Sequence, residues 1–185
     1  MIKLNVGCGS NYMEGYTNID FSDTGSNGKP IRVDLMIDLL DNKNGGIMKT
    51  YMTSTVDEIY FSEVLEHFNR QNGFFVLTTL YDILKPGGKL TLTVPNSFEQ
   101  MKRLIIKMSQ YKNSEDIDDF FNAHENVKYW KWHDDLMGAT HRSNGRDGDS
   151  HKTLYSYASL KSIVEKIGFK IVSADENRIM MELTK

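Results

Sequence analysis

Cysteine is almost absent from this sequence of 185 residues, in which Cys8 is the only example. A single cysteine cannot form an internal disulfide, so a reducing, cytoplasmic setting is expected. No apolar run is long enough to cross a bilayer, and the first residues lack the pattern of a signal peptide. We therefore expect neither a membrane partner nor export.

The sequence also lacks an excess of charge of either sign. Lys and Arg number 22 against 25 Asp and Glu, for a net charge of −3. Nucleic-acid binding normally needs many basic residues on one face, so no nucleic-acid partner is expected. Repeats, low-complexity tracts and an obvious linker are missing too, and residues 1–185 are expected to form a single domain.

Hydrophobic periodicity predicts strands that alternate with helices or long connections. The predicted strands of the first half are Ile2–Val6, Tyr16–Phe21, Ile31–Leu39, Val56–Ser62 and Lys89–Val94. The predicted helices are Phe74–Leu84, Phe98–Met108 and a last helix around residues 160–167, with Ser156 as its N-cap and Gly168 as its stop. The segment Asp41–Thr55 is predicted to be a loop or a poorly formed helix.

The end of the sequence predicts a hairpin. Only Ala174–Asn177 separate the predicted strands Phe169–Ser173 and Arg178–Leu183, too few residues for a parallel crossover. The fold class is therefore α/β, with a mostly parallel sheet, helices on both faces and one antiparallel strand at or near an edge. The segment Gln110–His151 shows no long period, and residues from about 98 to 152 are interpreted as an insertion.

Glycines and polar residues at the predicted strand ends indicate a ligand site, because ligands bind beyond the carboxyl ends of parallel strands. Gly7 and Gly9 follow the first strand, where their backbone N–H groups can approach a ligand closely. Asp20 is placed to accept hydrogen bonds from both hydroxyls of a ribose, and Asp38 is placed to accept one from the exocyclic amine of an adenine. Ser62 lies near the ligand's tail. An ordinary tight turn and solvated acids would show the same pattern, and Cys8 fits a tight turn better than a nucleophile.

Several segments together resemble one enzyme family. Leu4-Asn5-Val6-Gly7-Cys8-Gly9 resembles the first motif of class I S-adenosylmethionine-dependent methyltransferases. Further similarities are Asn18-Ile19-Asp20, the Val56–His67 segment with its Leu65-Glu66-His67 ending, the turn Leu84-Lys85-Pro86-Gly87-Gly88-Lys89-Leu90, and the Leu160–Phe169 helix. The resemblance covers about residues 2–97 and 151–185. It implies a three-layer Rossmann-like sandwich with a seven-stranded sheet.

The resemblance also implies S-adenosylmethionine as cofactor and S-adenosylhomocysteine as product. By position it assigns the cofactor contacts to Gly7, Gly9, Asp20, Asp38, Leu39 and Ser62, to which we add the neighbours Cys8 and Phe21. The sequence departs from the family at Asn5, where an acid is common, and in the short link Ser10–Thr17. A full helical crossover does not fit into that link, so we predict one helical turn or a plain loop.

The expected reaction is methyl transfer to a small-molecule or saccharide acceptor at a hydroxyl, which must lose its proton. His67, just beyond strand four, and His151 are the candidates for the base, with Glu66 as a third, although such histidines often serve as caps or packing residues. Tyr129, Trp130 and Trp132 could line the acceptor site or form the insertion's own core. No metal is predicted, because the potential ligands show no established spacing; these are His133, Asp134, Asp135, His141, Asp147, Asp149 and His151.

Three other functions compete with this interpretation. A non-catalytic S-adenosylmethionine-binding module would share every motif. A nicotinamide-dependent oxidoreductase is less favoured, because Tyr12 stands where the third glycine of the dinucleotide fingerprint would fall. A nucleic-acid amino-methyltransferase would carry an Asn-or-Asp-Pro-Pro-aromatic motif, and Val94-Pro95-Asn96-Ser97 occupies its place.

Overall fold

One mixed sheet of seven strands organises the computed structural model, which describes residues 1–25, 28–41, 46–109 and 151–185. The strands are β1 (Lys3–Val6), β2 (Thr17–Asp20), β3 (Leu35–Met36), β4 (Val56–Ser62), β5 (Leu84–Thr93), β6 (Lys170–Asp175) and β7 (Met180–Thr184). Their order across the sheet is β3-β2-β1-β4-β5-β7-β6. The strands β1 to β5 pair in parallel, and β7 runs antiparallel to both of its neighbours, β5 and β6. The predicted α/β fold with one antiparallel strand is therefore confirmed.

The helices of the described residues are α1 (Ile47–Thr50), α2 (Arg70–Ile83), α3 (Ser97–Met108) and α4 (Tyr157–Ile167). Helix α2 contacts both α1 and α4, so these three helices lie on the same side of the sheet. As predicted, α4 begins after Ser156, whose hydroxyl accepts from Ser159 N, and it ends at Gly168 with a left-handed φ of 116°. Among the helices that the structure describes, none has the length and apolarity needed to cross a membrane.

The hydrophobic core lies between the central strands and α2. Ile59 and Phe61 of β4, Leu90 and Leu92 of β5, and Leu80 of α2 are completely buried. These strands are covered by other elements and show apolar side chains at alternating positions, as expected where one face of a sheet meets a helix. The buried centre of the sheet thereby supports the carboxyl ends of β1 and β4.

The predicted third strand is wrong in its extent. Only Leu35–Met36 form a ladder with β2, whereas the prediction was Ile31–Leu39, and Asp38 lies two residues beyond the strand rather than at its end. The alternation was nevertheless informative, because Arg32, Asp34 and Met36 are exposed and the residues between them are partly buried. Because β3 is an edge strand with one partner, the extended segment around it can alternate between exposed and partly buried side chains even where its backbone is not paired.

Other boundaries moved by a few residues. Helix α2 begins at Arg70, earlier than the predicted Phe74, because the Asn69 side chain accepts from Asn72 N and caps it. The hairpin link shifts to residues 176–179, and the Lys85–Gly88 turn bulges within β5. The link between β1 and β2 contains no helix, and α1 is a single turn within the segment predicted to be poorly helical, as expected.

Candidate active site at the carboxyl edge of the sheet

The strand order reverses between β1 and β4. From β1 the chain moves outward to β2 and β3, then returns to β4 on the opposite side of β1. A crevice opens at such a switch point beyond the carboxyl ends of the two strands, and ligands of open α/β sheets bind there. The residues that follow β1 and β4 are therefore the first candidates for function.

The turn after β1 is tightly fitted to the segment after β4. The N–H groups of Gly7 and Cys8 both donate to Ile19 O, at 2.8 and 3.0 Å, and Gly7 has a φ of +69°. A Cβ atom at Gly7 would lie 2.4 Å from Val64 Cγ2. Glycine is required here both by the backbone conformation and by the close approach of Val64.

The end of the turn is joined to the end of β2. Gly9 N donates to Asp20 Oδ2 at 2.8 Å, and Phe21 N donates to Asp20 Oδ1 at the same distance. Asp20 is only 9% exposed, whereas the neighbouring Phe21 ring is 63% exposed. A Cβ atom at Gly9 would have nothing within 4 Å, so the space in front of this turn is open. The sequence-predicted pair of glycine turn and acid is therefore brought together in one cradle.

Cys8 is buried within the turn. Its thiol lies against Arg32 O at 4.0 Å, and burial, together with the nearby Asp20 carboxylate, raises the pKa of Cys8 to about 11. A thiol with this pKa stays protonated at neutral pH, and only the thiolate is a strong nucleophile. The structure agrees with the interpretation of Cys8 as a small residue of the turn.

A buried amide network beneath the turn was missed by the sequence analysis. Asn5 Nδ2 donates to Asn11 O at 2.7 Å and to Asn18 Oδ1 at 2.9 Å. Asn18 in turn donates through its backbone N and its Nδ2 to Asp34 Oδ2, at 2.8 and 3.0 Å. Asn5, at the position where the family often has an acid, therefore ties β1 to β2 and to the connecting loop.

The remaining predicted cofactor residues lie at the same edge with other contacts. Asp38 is exposed and accepts from Leu40 N at 2.9 Å, and the partly buried Leu39 packs against the core. Ser62, the last residue of β4, forms a hydrogen bond with Thr93 at the end of β5. Their contacts with a cofactor stay predictions.

The three candidates for proton transfer converge. A short 3₁₀ turn, Leu65–His67, follows β4, and it places Glu66 Oε1 3.9 Å from His67 Nε2. His151 Nε2 lies 3.9 Å from the same oxygen, and the two imidazole rings meet edge to face with centroids 5.2 Å apart. We call Glu66, His67 and His151 the carboxylate–histidine cluster.

Glu66 is the most buried member of this cluster, at 2% exposure. Burial, reinforced by the charge of Glu63, raises the pKa of Glu66 to about 8. Glu63 itself has a φ of +56°, an uncommon conformation for a residue other than glycine, and follows β4 directly. Such local strain tends to occur at functional sites, which agrees with a reactive centre after β4.

Several sequence-predicted residues lie outside the described part of the chain. These are Tyr129, Trp130, Trp132, His133, Asp134, Asp135, His141, Asp147 and Asp149, and with them most of the predicted insertion. Of that insertion, α3 and the segment from His151 onward belong to the described residues.

Sequence comparison decides the family. The profile of a methyltransferase domain matches residues 4–174, which is nearly the whole chain. The chain belongs to the class I S-adenosylmethionine-dependent methyltransferases. This methyltransferase matches no curated protein sequence significantly.

Solved structures similar to this methyltransferase share its fold at low identity. The 1,6-didemethyltoxoflavin-N1-methyltransferase of Burkholderia thailandensis, solved with S-adenosylhomocysteine, is 11% identical with a TM-score of 0.54, covering 100% of this chain and 70% of its own. The PH0226 protein of Pyrococcus horikoshii is 11% identical with a TM-score of 0.54, and the match covers 98% of this chain and 80% of that protein. The CurJ carbon methyltransferase is 13% identical with a TM-score of 0.55, and the match covers 100% of this chain but only 48% of that protein.

Proposed function

We propose that this methyltransferase transfers the methyl group of S-adenosylmethionine to a hydroxyl of a small molecule or saccharide. The observation that carries the proposal is that His151 approaches Glu66 and His67, which lie in the turn after β4. The glycine turn that would hold the cofactor packs on Val64, two residues before Glu66. A proton acceptor and a methyl donor would therefore meet at the β1–β4 crevice.

The cradle after β1 and β2 fits an adenosyl ligand. Asp20 Oδ2 accepts one backbone N–H at 2.8 Å and Oδ1 accepts two, at 2.8 and 3.4 Å, so the carboxylate, with about four acceptor sites, keeps capacity for a ribose hydroxyl on Oδ2. The open space in front of Gly9 admits a ligand close to the backbone, and the exposed Phe21 ring offers an apolar surface beside it. We assign Gly7, Cys8, Gly9, Asp20 and Phe21 to this cradle. The more peripheral contacts proposed are Asp38, Leu39 and Ser62.

The cofactor supplies a methyl group on a sulfonium, which is already a good leaving group. The protein therefore mainly has to align the acceptor with the methyl and exclude water. A hydroxyl acceptor must also lose its proton, and a histidine that titrates near neutral pH suits this task. In our proposal the carboxylate–histidine cluster removes that proton, with His67 and His151 as the base candidates and Glu66 as the third.

Calorimetric titration with S-adenosylmethionine, S-adenosylhomocysteine and NAD tests the cofactor site. We expect binding of the first two and none of NAD. Asp20→Asn keeps one acceptor for the backbone but loses the charge, and we expect more than about tenfold weaker binding, since hydrogen bonds to a charged group contribute about 1.5–3 kcal/mol. Asp23→Asn is the matched control, because Asp23 is exposed on the same loop. Unchanged affinity in Asp20→Asn would overturn the placement of the cofactor.

Transfer of a labelled methyl group tests the acceptor. A panel of hydroxyl, amine and thiol compounds, including sugars, is incubated with protein and cofactor, and labelled products are separated. We expect label on hydroxyl compounds. Label only on amines or thiols would refute the acceptor class, and cofactor binding without transfer to any compound would favour a non-catalytic module.

A further inference from the structure

The carboxylate–histidine cluster has the composition and spacing of a metal site. Glu66, His67 and His151 each present one ligand atom, and these atoms all lie within 4.8 Å of one another. The Glu66 Oε1 atom is equidistant, at 3.9 Å, from Nε2 of both histidines. Three ligand atoms from three side chains therefore surround one small volume beside the β1–β4 crevice.

The second carboxylate oxygen of Glu66 gives independent support for a ligand at this cluster. Glu66 Oε2 is buried, and no residue of the described ranges forms a hydrogen bond with it. Its side chain is only 3% exposed. A buried charged carboxylate is costly unless it is paired or coordinates a metal, and a cation bound at Glu66 Oε2 or Oε1 would stabilise the charged form of this carboxyl group.

The backbone holds His151 at the cluster. Lys152 N and Thr153 N both donate to Glu66 O, at 2.8 and 3.1 Å, and Thr153 Oγ1 donates to Phe68 O at 2.8 Å. Three hydrogen bonds thus join the chain after His151 to the 3₁₀ turn that carries Glu66 and His67. Such preorganisation reduces the conformational cost of bringing distant ligands together.

We propose that Glu66, His67 and His151 bind one divalent transition-metal ion of the zinc type. Two imidazoles and one carboxylate are a ligand set of catalytic zinc sites, which keep a fourth position open for water or substrate. Magnesium and calcium prefer sites built from oxygen ligands and do not suit two histidines. In a tetrahedral site the ligand atoms lie about 3.3 Å apart, so each 3.9 Å separation would shorten by about 0.6 Å when the ion binds.

This inference departs from the sequence-based prediction of no metal, and its chemical role rests on the proposed function. The ion's charge would lower the pKa of an acceptor hydroxyl bound at the open position, and the histidines would then act as ligands rather than as the base. The hydroxyl proton passes to water. The oxygen then forms its bond to the methyl carbon while the carbon–sulfur bond breaks, giving a methyl ether and S-adenosylhomocysteine.

Cobalt titration measures the site without any methyl transfer. The full chain is stripped with EDTA, dialysed and titrated with Co²⁺, whose visible absorption reports coordination by nitrogen and oxygen ligands. We expect saturation at one ion per chain and displacement by Zn²⁺. Glu66→Gln and His151→Gln should each weaken binding by more than about 100-fold, since even outer-shell changes cost 10–100-fold in metal affinity.

Two control variants make the result specific. Glu63→Gln removes a neighbouring exposed acid that is not a member of the cluster, and it should retain one bound ion. The double variant His133→Gln/His141→Gln removes the other histidines considered as ligands, and it should also retain the ion. Far-UV circular dichroism of each variant confirms folding. Loss of Co²⁺ binding in the double variant, or no stoichiometric binding in the unaltered chain, would overturn the proposal.

Failure of this inference is distinguishable from failure of the proposed function. Methyl transfer to a hydroxyl that is unchanged in the metal-stripped chain would refute the catalytic role of the ion and leave the proposed function intact. Stoichiometric Co²⁺ binding without any hydroxyl methylation would support the metal site and refute the acceptor class.

Discussion

At the scale of single residues, Gly7 carries the strongest steric requirement of the site. Its φ of +69° is strained for other residues, and an added Cβ would lie 2.4 Å from Val64 Cγ2. We expect Gly7→Ala to lower the free energy of unfolding by about 2 kcal/mol or more, from the left-handed backbone and from overpacking. Urea denaturation followed by circular dichroism measures this change.

Gly9→Ala is the matched control, because Gly9 has a φ of +49° but no atom within 4 Å of the place that a Cβ would occupy. It should cost only the backbone component, about 1–2 kcal/mol. The double variant Gly7→Ala/Val64→Ala should be more stable than expected from adding its two single changes, because it removes the clash. A fully stable Gly7→Ala would contradict the close packing of the two segments.

At the scale of elements, Asp34 connects β2 to the segment before β3. Hydrogen bonds from Asn18 N and Asn18 Nδ2, and then from Tyr12, lower the pKa of Asp34 below its ordinary value of 3.8. The contribution of this carboxylate to stability is thus fully present above pH 3.8 and is lost as the pH falls through the lowered pKa. We expect Asp34→Asn to be less stable than the unaltered chain at neutral pH and the difference to shrink in acid.

Urea denaturation of both proteins at a series of pH values checks this expectation. Asp23→Asn serves as a comparison, because Asp23 is an exposed aspartate of the same region whose carboxylate accepts from the Thr24 hydroxyl. If the stability difference between Asp34→Asn and the unaltered chain stayed constant below pH 3.8, the charge of the Asp34 carboxylate would not be what stabilises its hydrogen bonds with Asn18.

The N-terminus of α4 offers a second test at this scale. Ser156 Oγ accepts from Ser159 N at 3.2 Å, and Ser159 Oγ accepts from Ser156 N at 3.0 Å. We expect Ser156→Ala to cost about 1 kcal/mol of stability. Ser162→Ala, at an exposed position inside the same helix, should be neutral or slightly stabilising. Equal thermal midpoints for the two variants would contradict the role of the cap.

Elements with strong local signals could be predicted from the sequence. Val56–Ser62 matches β4 residue for residue, and α4 lies between its predicted cap and stop. The edge strand β3 could not be delimited, because alternation reports which side chains turn inward and not which backbone groups find a partner. In the same way, the hairpin was foreseen while its link moved by two residues.

The candidate site was predictable in part. The motifs placed Gly9 and Asp20 at neighbouring strand ends, and a 2.8 Å hydrogen bond now joins them. Glu66 and His151 were named separately, but their proximity depends on hydrogen bonds from Lys152 N and Thr153 N to Glu66 O, which leave no pattern in the sequence. The sequence also gives no indication that Asp34 accepts hydrogen bonds from Asn18, because an exposed acid in an extended segment is common.

At the scale of the whole molecule, β7 is an interior strand although it follows every other described strand in the sequence. It pairs with β5 from Lys89↔Thr184 to Thr93↔Met180 and with β6 along its other side. Its buried side chains, Met181 and Leu183, complete the core. We expect a chain truncated after Asn177 to lose cooperative unfolding, because β5 and β6 would both be left with unpaired backbone groups. A sigmoidal thermal melt of that truncated chain would contradict this expectation.

The same arrangement sets the timing of folding during synthesis. While Met180–Thr184 is still inside the ribosome, β5 lacks its β7 partner and presents an open sheet edge, and such an edge invites pairing with other chains. A premature stop codon shortly before Met180 would therefore yield a product that aggregates more readily than the unaltered chain.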